Sequence, residues 1–426
     1  MVSINMPEYR ISVDQLRPGV FIRLEKTNWF DHPFLFNNFK IKDEQQIALL
    51  KTLGITEIIC IPEKSDVLPL RTPDKKAPVT TQEKALSQDV IDHLWEVKTE
   101  RTKRLKEKKV RIAECEEKFN TCIKTFNNIL KGVLGGNFHS VEEALAFVCK
   151  LSKYFLDDRE STLHLMNVMD TAESAYSHPM NVAVLSMMVG KEAGLSADEM
   201  TALGMGALFH DIGKARIPKK LLKKRGELTK PEQQLIDQHS AFGATMLSEI
   251  DIFPKAAIQI VAHHHERMDG SGSPQQLQGD AIDRLSRIVA IADAYDNHCN
   301  SIDPDKSLTP YLALSFMFGQ QKLFFDVEML ALFIRCLGVY PPGTVVELSN
   351  GAIGMVMSVN PKNQLNPSVV LYDENVPKKE ALIVDLADEQ DLRVEKSIRL
   401  AHLPKEVFEY LSPRTRITYF MEPNGG

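Results

Sequence analysis

The residues best equipped for chemistry lie between His178 and Asp296. His210-Asp211-Ile212-Gly213-Lys214 opens the stretch and His239 stands alone. Val261-Ala262-His263-His264-His265-Glu266-Arg267-Met268-Asp269-Gly270 follows, and Ile291-Ala292-Asp293-Ala294-Tyr295-Asp296 closes it. Seven of the twelve histidines (His178, His210, His239, His263, His264, His265 and His298) fall between His178 and His298, interleaved with aspartates. Surface histidines would be scattered, so the clustering reads as a metal centre. Imidazole and carboxylate together suit iron, manganese or zinc rather than a thiolate site. Asp293 ends the apolar run Ile288-Val289-Ala290-Ile291-Ala292 and should sit inside a bundle. An unpaired carboxylate there is costly, and a metal partner removes that cost. Asp211 can use both oxygens and bridge two cations. Taken singly, each residue has a plainer reading: His178 and His239 as hydrogen-bonded core or surface rings, His263 to His265 as a polar helix turn, Asp269 and Asp296 as caps or ion-pair partners. Taken together they would be several buried titratable groups without partners, which folded proteins avoid.

The elements that must carry these residues are mostly helical. Histidine followed directly by aspartate in helical sequence puts two ligands about 100° apart on one helix. His178 precedes Val182, Leu185, Met188 and Val189 in an amphipathic segment, so four helices would send ligands inward, as bundles commonly do for dinuclear centres. Residues 1–70 read as a small N-terminal α/β domain. Its strands flank the Pro18-Gly19 turn, Asp43 caps a helix that Gly54 ends, and Ile55 to Ile61 is a β-branched strand. Trp29 to Phe36 reads as a packed aromatic loop in preference to a docking surface. Residues 71–135 read as a linker with three prolines between Leu68 and Thr81, then a charged helix. In that helix Phe119, Ile123, Phe126 and Leu130 form one stripe. The Lys/Arg run from Arg101 to Arg111 is interleaved with glutamates and reads as a solvated face, able to pair as a coiled-coil homodimer arm, rather than a nucleic-acid patch. Residues 136–340 are helical, and 341–426 form a small β-rich C-terminal tail with turns at Asn350-Gly351 and Asn360-Pro361.

Composition narrows the setting. Hydrophobic residues make up 43% and charged residues 25%, an ordinary globular balance. The formal charge of -6 gives no electrostatic grip on nucleic acid or anionic lipid. The six cysteines form no C-x-x-C pattern, which fits a reducing compartment, and no apolar run reaches membrane-spanning length. The expected location is cytoplasmic.

His178, His210-Asp211 and Asp293 in this order resemble the HD hydrolase superfamily. With Ile217-Pro218, His239, His264-His265-Glu266-Arg267, Asp269-Gly270 and Gly279-x-x-Ile282 the chain is similar to the bacterial HD-GYP subfamily, over about residues 150–400. Residues 1–70 also resemble the domain often found upstream of HD-GYP modules. The resemblance implies a mainly α fold, an HD-type helical bundle, and a cyclic-dinucleotide phosphodiesterase acting chiefly on cyclic di-GMP with two divalent metal ions, iron or manganese, in bacterial signalling. It implies that His178, His210, Asp211 and Asp293 hold one metal and that Asp211, His239, His264 and His265 hold the second. It implies water activated between the cations, Lys214 on a phosphate oxygen, and Asp269 orienting Lys214 or handling a proton. Arg267 and the Gly272-Ser273-Pro274 turn would face substrate.

The chain departs from the subfamily in three places. Ser273 stands where tyrosine is expected. The stretch Ser301-Ile302-Asp303-Pro304-Asp305 lacks the phosphate-binding arginine found a few residues after the Asp293–Asp296 motif. Ser174, next to Glu173, replaces a glutamate that holds a third metal in some relatives, so two metals are expected. Two alternatives follow from these departures. One is a weak or inactive module that binds dinucleotide or signalling partners, and the other is a hydrolase of another cyclic dinucleotide such as cyclic GMP-AMP.

Overall fold

The computed structural model describes residues 8–24, 32–34, 37–71, 88–156, 162, 177–222, 224, 226–301, 306–359, 363–374, 376–378, 381, 383–389, 392–399 and 402–411. By contact the chain divides into two units: 1–107 with 348–352 and 370–384, and 108–347 with 353–369 and 385–426.

In the first unit, strands β1 (Tyr9–Ser12), β2 (Phe21–Arg23), β3 (Asn38–Lys40) and β4 (Glu57–Cys60) form an antiparallel sheet in the order β1-β4-β2-β3. Tyr9 faces Cys60, Ile22 also faces Cys60, and Phe21 faces Lys40. Helix α1 (Glu44–Thr52) starts where Asp43 accepts from the Gln46 N–H at 2.9 Å, and Gly54 follows it at φ +73°. Ile47, Leu49 and Leu50 pack with Ile11, Val20 and Ile58 as its core. Strands β1, β2 and β4 and the helix fall where the sequence reading places them, and β3 was not anticipated. His32 and Phe34 of the aromatic loop are buried; Trp29 to Asp31, Leu35 and Phe36 lie outside the described residues, as do residues 72–87 of the linker.

Helix α2 (Gln88–Leu134) is a single 47-residue rod. Its buried positions Ile112, Cys115, Phe119, Cys122, Phe126, Ile129 and Val133 alternate spacings of three and four, the narrow seam of a heptad pattern. From Cys115 onward this seam belongs to the core of the second unit, together with α3 (His139–Phe155), so the apolar face is used within the chain. Helices α4 (Ser177–Glu192) and α5 (Ala197–Phe209) are the centre of that core. Met180 to Val189 and Ala202 to Phe209 are buried all round, as expected of helices surrounded by others. Small residues permit the approach: a Cβ on Gly206 would lie 2.6 Å from Ile260, and one on Gly204 2.6 Å from Val148.

A 3₁₀ turn (Ile212–Arg216) and short α6 (Lys219–Leu222) lead to α7 (Lys230–Asp237), α8 (His239–Ser248) and α9 (Lys255–His263). Helix α10 (Arg284–Cys299), capped by Asp283 on the Ser286 N–H, is followed by α11 (Pro310–Gln320) and α12 (Val327–Leu337). The C-terminal strands β5 (Val345–Leu348), β6 (Ile353–Ser358), β7 (Ser368–Leu371), β8 (Ile383–Asp385) and β9 (Val394–Ile398) form a sheet in the order β8-β7-β6-β5-β9, and α13 (Lys405–Leu411) follows. The whole is a mainly helical protein with two small sheets. No helix among the described residues is long and apolar enough to cross a membrane.

Candidate metal centre

Five segments bring the sequence-predicted ligands to one place. His178 comes from the first turn of α4 and His210 from the end of α5. His239 opens α8, His264 and His265 follow α9, and Asp293 lies within α10. His210, His239 and His264 are at most 1% exposed and Asp293 is 5% exposed. One local detail differs from the sequence expectation. His210 and Asp211 do not share a helix, because α5 stops at Phe209 and Asp211 sits at φ −96°, ψ 5° at the head of the 3₁₀ turn. The departure aims the carboxylate across the cluster. Its Oδ2 lies 3.5 Å from His210 Nε2 and 3.9 Å from His178 Nε2, while its Oδ1 lies 3.2 Å from His239 Nε2.

Two sets of ligand atoms converge. His178, His210 and Asp211 place one atom each within 4.8 Å of one another, and so do His239, His264 and His265. Asp293 Oδ1 joins the first set, 3.1 Å from His178 Nε2 and 3.6 Å from His210 Nε2, and its Oδ2 lies 3.9 Å from His265 Nδ1.

The hydrogen bonds behind the rings show what the cluster requires. His210, His239 and His264 each set Nδ1 against the carbonyl three residues back: Ala207 at 2.7 Å, Ile236 at 2.6 Å and Val261 at 2.9 Å. A carbonyl only accepts, so Nδ1 carries the hydrogen and the neutral ring turns a bare Nε2 inward. Yet His239 Nε2 lies 3.2 Å from His264 Nε2, and His210 Nε2 lies 3.3 Å from His178 Nε2. Between the neutral His239 and His264 rings, lone pair facing lone pair at that distance is repulsive unless a cation lies between. Asp211 Oδ1 is likewise buried without a hydrogen-bond donor. Burial, with the neighbouring His265, His210 and His239 rings, pushes His264 well below the ordinary imidazole range, so His264 does not itself bring a proton to that contact. The donor set therefore fits metal ions, which these residues could hold.

The charges agree. Burial disfavours ionised Asp211 and Asp293, but surrounding His210 and Lys214 for the one, and His178 and His210 for the other, hold both carboxyls well below their usual range. Burial opposes a charge on His178, but Asp293 and Asp296 outweigh it and push the ring up to about 10. Burial, with His239 adding to it against Asp293, pushes His265 down to about 4. Lys214 Nζ donates to Asp211 Oδ2 at 2.6 Å and is half-buried at the edge of the cluster.

The loop after His265 is shaped by a residue that sequence reasoning did not single out. Glu266 is 3% exposed and accepts from the Gln275 and Leu277 N–H groups at 2.6 and 2.9 Å. Gly272 packs against it, since a Cβ there would lie 2.4 Å from Arg267 N and 2.5 Å from Glu266 Cα. Ser273 N–H donates to His265 O at 3.1 Å, and the Ser273–Pro274 peptide is cis. The Arg267 guanidinium lies 4.2 Å over the Phe324 ring. Asp269 is exposed and accepts from the Ser271 N–H at 2.9 Å, so the structure keeps it on this loop and does not bring it into the ligand cluster. Also unforeseen was the pairing of Asp296 with His178 and of Asn297 with Asp293, at 2.6 and 2.8 Å. The i, i+4 spacing of Asp293 and Asn297 was the one sequence signal for the latter. Glu173, Ser174 and Ile302 to Asp305 lie outside the described residues.

A domain of unknown function (DUF3391) matches residues 8–144, an HD domain matches 161–329, and a KOW domain associated with HD domain matches 345–406. A cyclic di-GMP phosphodiesterase of Pseudomonas aeruginosa is 26% identical over 376 residues, 85% of this chain and 84% of that protein. The cyclic di-GMP phosphodiesterase response regulator RpfG of Xanthomonas campestris is 35% identical over 35% of this chain and 39% of its own length. A 3'3'-cGAMP-specific phosphodiesterase of Vibrio cholerae is 39% identical over 31% of this chain and 30% of its own length. An HD domain is a metal-dependent hydrolase fold, and this chain has histidine and aspartate clusters that could hold a metal ion. The chain therefore carries an HD domain match preceded by a DUF3391 match, and over most of its length it is similar to a cyclic di-GMP phosphodiesterase.

Proposed function

We propose that this chain hydrolyses cyclic di-GMP to the linear dinucleotide and/or GMP, with two divalent ions, iron or manganese. The observation that supports the reading is the convergence of two sets of ligand atoms, with a close Nε2 contact in each, 3.3 Å for His178 and His210 and 3.2 Å for His239 and His264. His178, His210, Asp211 and Asp293 would hold one ion and His239, His264, His265 and Asp211 the other. The ions, when bound, supply Lewis acidity that neutralises phosphate charge and acidifies water. The chain's own residues do the rest. Lys214 sits where its ammonium can leave Asp211 for a phosphate oxygen, acting as a point charge. Arg267, held over Phe324, and the Gly272-Ser273-Pro274 turn are assigned to substrate binding. Asp269 is assigned to shaping that same loop, with any proton role exercised from its rim.

The functional units we infer are 1–70, the linker and charged helix 71–135, the catalytic helical domain 136–340, and the β-rich tail 341–426. The setting is cytoplasmic signalling. Any homodimer would form on the charged outer face of α2, whose apolar seam is occupied. A second substrate, 3'3'-cyclic GMP-AMP, is favoured by one observation: the matched stretch of the Vibrio enzyme is 39% identical, and Ser273 already departs from the cyclic di-GMP pattern.

The deciding experiment is turnover of both dinucleotides by anaerobically purified protein supplied with Fe(II) or Mn(II), beside Asp211→Ala. Linear product from the wild type alone, with the variant losing both turnover and metal, is the expected result. An Asp211→Ala protein that keeps its metals and its rate would sink the site assignment. Turnover of cyclic GMP-AMP alone would shift the substrate without touching the site.

A further inference from the structure

The two halves of the cluster are unequal, and the inequality lies behind the ligands. Three imidazoles lean on neutral carbonyl oxygens, those of Ala207, Ile236 and Val261. His178 leans on a carboxylate, with its Nδ1 2.6 Å from Asp296 Oδ2. Asp296 is 3% exposed, and its other oxygen accepts from Asn181 Nδ2 at 2.8 Å and Asn300 Nδ2 at 2.9 Å. One donor stands on α4, one turn beyond His178, and the other is the residue that caps the C-terminus of α10. The carboxylate is thus fastened from both helices and cannot swing away from the ring. A charged acceptor behind an imidazole raises the basicity of the far nitrogen and fixes its direction, so the metal bond gains twice.

The first-rank charges are unequal in the same sense. Asp211 and Asp293 both reach the His178–His210 side, with Asp293 Oδ1 3.1 Å from His178 Nε2. On the His239–His264–His265 side Asp211 Oδ1 comes within 3.2 Å of a ring nitrogen, whereas the nearest approach of Asp293 is 3.9 Å, to His265. More negative charge and a more basic imidazole favour a divalent cation on one side over the other.

We propose that the two metal positions differ in affinity, the ion at His178, His210, Asp211 and Asp293 being held tightly and the ion at His239, His264 and His265 exchanging, with Asp296 as the positioning residue that sets the difference. This rests on the two-metal reading above. It makes the second ion the one whose supply regulates the enzyme, because the tight ion stays when free metal falls.

The test counts metal, not turnover. Full-length protein loaded with Mn(II) is equilibrated against a graded chelator series, and manganese per chain is measured by mass spectrometry. The wild type should lose its ions in two steps with a plateau at one per chain. Asp296→Asn should move the tighter step by about ten- to a hundred-fold, the usual effect of removing an outer-shell partner, and leave the looser step in place. A merely structural role would move both steps together. His239→Ala should begin at one ion per chain and release it where the wild type releases its tight ion, a result that stands even if Asp296→Asn fails to fold. Two ions lost in one step, an Asp296→Asn that shifts the looser step or neither, or a His239→Ala that keeps only a loose ion would each overturn the inference while leaving two metals in place. Wild-type protein that takes up fewer than two ions would instead overturn the two-metal reading, and the inference with it.

Discussion

Gly213 shows how little slack surrounds the ligands. A Cβ at this position would lie 1.9 Å from His239 O and 2.5 Å from Gly243 N, both backbone atoms of α8 that no side-chain rotation can move. The missing side chain is what lets the 3₁₀ turn carry Asp211 up to His239. Gly213→Ala should therefore push the turn off the helix, at a cost on the order of 1–3 kcal/mol for overpacking. It should also separate Asp211 Oδ1 from the His239 ring. The expected outcome is a lower melting temperature together with less metal per chain. A variant with wild-type metal content and an unchanged melt would show that the turn has another way to reach the cluster. Ser273 is the opposite case. It is half-buried, its N–H is engaged with His265 O, and its hydroxyl replaces the phenol that the subfamily pattern expects. Ser273→Tyr should leave kcat unchanged and lower KM for cyclic di-GMP if the serine only weakens a substrate contact. A clear fall in kcat/KM would show that the serine belongs to a rebuilt pocket.

At the scale of elements, the loop 266–278 depends on one buried carboxylate. Glu266 satisfies two backbone N–H groups, those of Gln275 and Leu277. Truncation to alanine would strand both, at about 1–3 kcal/mol for each buried donor left without a partner. Glu266 is not among the converging ligand atoms, so Glu266→Ala should raise KM and speed amide exchange across 266–278 while metal per chain stays at the wild-type value. Loss of metal in this variant would mean that the loop also holds His265 in place. The convergence of the candidate ligands was legible because imidazole and carboxylate have few reasons to recur inside apolar helices, and α4, α5 and α10 are apolar enough to make the exceptions stand out. The support behind them was much less legible. Asp296 and His178 are 118 residues apart, Asn181 has no periodicity of its own, and Glu266 next to a triple histidine looked like part of a motif rather than a loop anchor. The helical reading of His210-Asp211 failed by one residue for a geometric reason. A helix continuing through Asp211 would not turn its carboxylate toward His239, and the close packing at Gly213 needs the tighter 3₁₀ path.

Across the whole molecule, the candidate ligands tie together segments that sequence separates by more than a hundred residues, from His178 to Asp293. All of them lie in the helical unit, and the four strands between Tyr9 and Cys60 contribute none. Metal bound only by the folded state stabilises it by mass action, about 2.7 kcal/mol for an ion present at a hundred times its dissociation constant. Stripping the ions leaves the His239 and His264 lone pairs facing at 3.2 Å and two carboxylates, Asp211 and Asp293, that must find other partners, so the cost should concentrate where those groups are. Chelation should therefore lower the melting temperature of the helical unit. It should also accelerate amide exchange in α4, α8 and α10 and in the Ile212–Arg216 turn, and leave β1 to β4 and α1 at their original protection. Restoring Mn(II) should reverse the change, and Asp211→Ala should show the accelerated pattern with or without metal. An even loss of protection over both units would mean that the ions stabilise the chain through some site other than this cluster. No change in α4 and α10 would mean that these helices hold His178 and Asp293 in place without help, and that the centre is preorganised by packing alone.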